Sequence, residues 1–189
     1  MDDGLYTLRV ASKRDKRRRS DLRAFVIALL LEGVSTPYEL QSLAGLSPGA
    51  TIPILQSLVE DGRAKAGKPS TRGRVAYVAT RKGKQWLEAI WPSLLQDGPS
   101  GDLDSDLRVF LIGVRVGKDR VRAEAFLRNA IAHRQETLAA LDGKVREGGS
   151  RVRLAAHYLS LRSRATAAIL TAEVKAIDSI LAAERARAR

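Results

Sequence analysis

Residues 46–62 read Leu46-Ser-Pro-Gly-Ala-Thr-Ile-Pro-Ile-Leu-Gln-Ser-Leu-Val-Glu-Asp-Gly62, and a basic stretch ending in Tyr77-Val-Ala-Thr-Arg-Lys-Gly83 follows. Ser47-Pro48 is a helix start: serine accepts from the unsatisfied N–H groups of a first turn, and proline fits the first helical position. Thr51, Ile54, Leu55 and Leu58 fall on one face of the helix that follows. Gly49, Ala50, Ile52, Pro53 and Gln56 are left on the opposite side near its start, and Gly62 supplies the stop.

Upstream, Thr36-Pro37-Tyr38-Glu39 has a capping residue, a proline at the first helical position and a glutamate three residues after the cap. It opens a short helix through Leu40, Leu43 and Ala44 that Gly45 ends. Two short helices joined this tightly form a helix-turn-helix element. Before them, Asp21 is placed to cap a helix through Leu22, Phe25, Val26, Leu29 and Leu30, with Gly33 as its stop. After them, residues 63–66 and 74–79 are short strand candidates around a turn at 67–73. Thr80 then caps a helix carrying Trp86, Leu87, Ile90 and Trp91, with Pro92 in its later part.

Between Arg63 and Lys84 stand eight cations, Arg63, Lys65, Lys68, Arg72, Arg74, Arg81, Lys82 and Lys84, and no acid. A merely solvated face normally mixes both signs, so this hairpin suits the phosphates of a nucleic acid. Such contacts position a protein without reading sequence, which leaves base reading to Ala50, Ile52, Pro53 and Gln56. No Arg or Lys stands on that helix before Arg63 to read guanine, so the expectation is half-sites rich in A·T.

The chain has 33 Lys and Arg against 21 Asp and Glu, a formal charge of +12 that favours an anionic partner, whether nucleic acid or a membrane surface. It has no cysteine, which excludes disulfides and thiolate metal sites. The longest apolar run, Phe25 to Leu31, is far short of the roughly 20 residues of a bilayer-spanning helix. With no apolar signal region at the N-terminus, the expected location is the cytoplasm and no membrane partner is expected. Residues 1–20 read as an arm, in which Lys13-Arg-Asp-Lys-Arg-Arg-Arg19 either reaches DNA or is a solvated tail.

Residues 21–95 form the expected winged-helix domain, 96–104 a linker with two glycines and a proline, and 105–189 an all-helical domain. Helical stretches are expected at about 105–116, 119–146 and 150–186, broken at Gly117 and at Gly148-Gly149. In the last, Leu154, Tyr158, Leu161, Ala165, Ala168, Ala172 and Ala176 recur at alternating spacings of four and three, a coiled-coil-like seam. At 1.5 Å per residue such a helix extends roughly 50 Å, whereas a compact globule of this length has a radius of gyration near 16 Å. A second copy of the chain is the expected cover.

No catalytic constellation emerges: there is no G-x-S-x-G, no phosphate loop ending in Gly-Lys-Thr, no cysteine nucleophile and no dense carboxylate cluster. An enzyme, a metal site and a cofactor are not expected. His133 and Glu136 stand one helical turn apart without an acidic cluster, and His157 stands elsewhere, a pattern of surface or packing residues. Trp86 and Trp91 are separated by about 140° around a helix and read first as packing residues.

The sequence resembles the PadR-like winged-helix transcriptional regulators over nearly its whole length. The family's Ser-Pro-Gly opening, its later proline and its Leu-x-x-Leu ending in acids and glycine are matched by Ser47, Pro48, Gly49, Pro53, Leu55, Leu58, Glu60, Asp61 and Gly62. Its wing pattern is matched by Arg72, Arg74, Tyr77, Thr80 and Gly83, and its Gly-Tyr-Glu helix opening by Pro37 to Glu39. Two positions depart from it: Ile52 stands where a tyrosine is common and Thr51 where leucine is. The resemblance implies a homodimeric repressor of transcription and a small aromatic ligand that releases it, for which Trp86 and Trp91 are the candidate residues. The expected fold is mainly α, a winged helix-turn-helix domain with a two-stranded β wing followed by a helical dimerisation domain. Its double-stranded DNA contacts would be Ser47, Gly49, Ala50, Ile52, Pro53, Gln56, Lys68, Arg72 and Arg74. Two other readings stay open, a nonspecific chromosome-associated protein and a helical interaction adaptor.

Overall fold

A computed structural model describes residues 20–69, 74–147 and 153–187. The basic run at 13–19, Arg72 and the Gly148-Gly149 break lie outside them. Helix α1 includes residues 20–31 and is followed by α2 (Pro37–Ala44), α3 (Pro48–Glu60), β1 (Ala64–Ala66), β2 (Tyr77–Ala79), α4 (Arg81–Gln96), α5 (Leu103–Arg115), α6 (Arg120–Glu147) and α7 (Arg153–Ala186). Three helices, a two-stranded antiparallel hairpin and a further helix make a winged helix-turn-helix, and the remainder is helical.

The chain divides into two compact units: the described residues up to Asp97 with Leu107–Ala123, and Gly98–Asp106 with the described residues from Glu124 onward. Helices α5 and α6 each contribute residues to both.

In the first unit Val26, Ile27 and Leu30 of α1, Leu40 of α2, Leu55 and Leu58 of α3 and Leu87 of α4 are buried. Each such side chain stabilises the fold by about 1.5–3 kcal/mol of apolar transfer. Helix α2 begins with the capping box read from sequence: Thr36 accepts from the Glu39 N–H, while the Glu39 carboxylate accepts from the Thr36 N–H at 3.0 Å. It ends on Gly45 at φ 67, a left-handed conformation that costs glycine little. Asp21 does not cap α1, because Ser20 is already helical. Its carboxylate is buried instead and accepts from Arg108 Nε at 3.1 Å, a partner 87 residues away that local pattern cannot indicate.

Helix α4 sits close to the start of the hairpin. Thr80 Oγ1 donates to the Gly62 carbonyl at 2.8 Å and accepts from the Gly83 N–H at 3.1 Å. A Cβ at Gly83 would lie 2.2 Å from the Arg63 carbonyl oxygen, so the Thr-x-x-Gly pattern marks a close backbone approach.

In the second unit Phe126, Leu127 and Ala130 of α6 and Ile177 and Leu181 of α7 are buried. Arg134, on α6, is 1% exposed and donates to Asp106 Oδ2 at 2.9 Å and to Glu173 Oε2 at 2.6 Å. Burial works against the Arg134 charge, but the hydrogen bonds to Glu173 and then Asp106 outweigh it and hold the guanidinium above its ordinary pKa. On α7, Tyr158, Leu161, Ala165, Ala168, Ala172 and Ala176 are all exposed, and Ile169 lies exposed beside them. The inward face of this helix is a different stripe, through Leu170, Val174, Ile177 and Leu181.

Candidate nucleic-acid interface

Helix α3 buries Thr51, Leu55 and Leu58 and leaves Ile54 half-buried, as its spacing predicts. The Thr51 hydroxyl, placed where a leucine would need no partner, donates to the Ser47 carbonyl at 3.1 Å. Ser47, Gly49, Ala50, Ile52, Pro53 and Gln56 are all exposed. The helix starts where the sequence places it, yet the Ser47 side chain makes no capping hydrogen bond; the Ser47 carbonyl receives the Ala50 and Thr51 N–H groups, each at 3.0 Å. Pro53, inside the helix, has no N–H to offer the Gly49 carbonyl one turn earlier. The outward turn therefore presents short, mostly apolar side chains and backbone polar groups.

The hairpin pairs Ala64 with Ala79, Lys65 with Val78 and Ala66 with Tyr77. Its strands are shorter than the sequence suggests, although the Gly67 N–H still reaches the Ala76 carbonyl at 2.7 Å. The other edge of β2 is tied to the segment before α2, since the Tyr77 N–H donates to the Ser35 carbonyl at 2.7 Å. Lys65, Lys68, Arg74, Arg81 and Lys82 are exposed. The Arg74 guanidinium lies 5.5 Å from the centroid of the Tyr38 ring. Arg72 is outside the described residues, so its place in this surface is not described.

The eight-cation count overstates this surface. Arg63 is half-buried at the foot of the hairpin, 3.1 Å from Asp61 and with its guanidinium 4.4 Å from the Trp86 ring centroid. Arg23 of α1 also pairs with Asp61. These contacts fix where the hairpin leaves α3, and no local pattern sets Arg63 apart from its neighbours. Lys84 stands 3.9 Å from Glu88 one turn along α4, a surface pair of small energetic weight.

Trp86 and Trp91 make different contacts. Trp86 carries the Arg63 stack, while the Trp91 ring lies against Gly117, where an added Cβ would come within 2.8 Å. A cavity of about 230 Å³ lined by Phe25, Ala28, Leu29, Glu32, Leu111, Ile112 and Arg115 contains neither. Among the described residues, no cluster of three or more His, Asp or Glu could hold a metal ion, and no helix is long and apolar enough to cross a membrane.

No family model matches the chain, and no curated protein does. Among solved structures the chain is similar to Bacillus subtilis PadR in complex with operator DNA, with 19% identity, coverage of 85% of this chain and 97% of that one, and a TM-score of 0.35.

Proposed function

We propose that the chain is a sequence-specific, DNA-binding regulator of transcription that acts as a homodimer and represses. One observation carries this reading: the outward turn of α3 is exposed and blunt, and a hairpin of exposed cations follows it. In a winged helix-turn-helix of this kind α3 lies in the major groove, while Lys68, Arg72 and Arg74 touch the adjacent backbone. Ala50, Ile52 and Pro53 would meet thymine methyls and Gln56 an adenine, giving half-sites rich in A·T.

The exposed face of α7 supports the dimer. Tyr158, Leu161 and Ile169 are large apolar groups left in solvent along a seam of alanines whose four-and-three spacing suits a second helix. Release by a planar aromatic ligand belongs to the same reading. A ligand at Trp86 would compete with the Arg63 stack, and one at Trp91 with the Gly117 contact.

Titrating the protein with duplex from its own upstream region and with random duplex, at two salt concentrations, tests the reading. A regulator binds the upstream duplex more tightly by a factor of about a thousand or more, with both affinities falling as salt rises. Equal affinities would instead mark a nonspecific chromosome-associated protein, and no binding to either would leave the helical adaptor.

A further inference from the structure

Tyr38 is the second residue of α2 and is 63% exposed, so burial of its ring contributes little to the fold. Its position is nonetheless fixed. The Glu39 carboxylate accepts from the Ser35 N–H at 2.8 Å, the Ser35 hydroxyl at 3.0 Å and the Thr36 N–H at 3.0 Å, which locks the turn that presents Tyr38. The Ser35 carbonyl in turn holds the Tyr77 N–H of β2, three residues beyond Arg74. The ring and the guanidinium above it thus hang from one hydrogen-bonded frame.

A guanidinium against an aromatic face keeps its charge while losing freedom, and an exposed tyrosine keeps a hydroxyl free to donate. The one acid in the same turn, Glu39, is turned toward Ser35 and Thr36. In a helix-turn-helix the helix before the recognition helix crosses the DNA backbone, which brings the start of α2 near phosphates.

Resting on the duplex-DNA reading above, we propose that Tyr38 and Arg74 form a single phosphate clamp. The Tyr38 hydroxyl donates to a backbone phosphate that the Arg74 guanidinium pairs with, and the ring holds the guanidinium in place.

The test uses the upstream duplex and four variants, Tyr38→Phe, Arg74→Gln, the two combined, and Tyr38→Phe with Lys68→Gln, each checked by its urea midpoint. Tyr38→Phe should bind about three- to tenfold more weakly with the salt slope unchanged, because the lost group is neutral. Arg74→Gln should weaken binding and flatten the slope by about 0.9. The combined Tyr38 and Arg74 losses should fall short of the product of the single losses, whereas those of Tyr38 and Lys68 should multiply. Wild-type affinity in Tyr38→Phe, or losses at Tyr38 and Arg74 that simply multiply, would overturn the clamp while leaving the regulator intact. Failure of the wild-type chain to bind duplex would overturn both.

Discussion

In the hairpin unit Lys65, Lys68, Arg74, Arg81 and Lys82 stand in solvent, whereas in the helical unit Arg134 is enclosed with Asp106 and Glu173. Both regions are cationic by residue count, but they use charge in opposite ways. Exposed charges of one sign gathered on one surface hold a field that a polyanion can neutralise. An enclosed cation whose carboxylates lie at 2.6 and 2.9 Å has no field to offer, and it orders the helices around it. Arg63 belongs with Arg134 in kind although it lies in the hairpin unit, because Asp61 and Trp86 occupy it.

Breaking the enclosed pair should have the largest effect. Arg134→Ala leaves the Asp106 carboxylate buried without its counter-charge, and a loss of about 3–5 kcal/mol in unfolding free energy is expected by urea denaturation. The folded fraction should keep the salt slope of its DNA binding; a changed slope with unchanged stability would erase the contrast between the two regions. Next in size is Gly83→Ala, which forces a methyl group against the Arg63 carbonyl at the foot of the hairpin. It should cost about 1–3 kcal/mol of stability in the same measurement.

Smaller effects are expected where charge faces solvent. Lys68→Ala should leave the urea midpoint within error and lower the salt slope of duplex binding by about 0.9, whereas Arg63→Gln should lower stability and leave the slope unchanged. Equal slopes for the two variants would mean that Asp61 does not withdraw Arg63 from the surface. Least in size is the effect at Glu39, whose carboxyl is held below its usual pKa, chiefly by the Ser35 backbone N–H and then the Ser35 hydroxyl. Because folding lowers that pKa, the contribution is complete above the ordinary glutamate value and disappears as pH falls through the folded one. Glu39→Ala should therefore be slightly less stable than wild type at pH 7, and the gap should close in acid.

What could be read from the sequence was local. The cap at Thr36, the stop at Gly45 and the division of α3 into buried and exposed faces each depend on residues within one or two turns, where helix geometry leaves few choices. The same holds for the exposed seam on α7, since a four-and-three spacing defines one face whatever covers it. What escaped was set by residues distant in the chain. Asp21 resembled a cap until Arg108 reached it, and Trp86 gave no sign of the arginine above its ring. Tyr38 reads in the sequence only as part of a helix start, because nothing there links it to Arg74, which lies beyond α3 and β1 along the chain.

The outward first turn of α3 and the hairpin form the surface proposed to meet duplex DNA. Residue-resolved amide chemical shifts, recorded as upstream duplex is added at low salt, test this most directly. The largest changes are predicted at residues 47–56, 65–68 and 74–79, with the outer face of α7 unaffected at constant protein concentration. Changes confined to α7, or none at 47–56 while duplex binds, would contradict it.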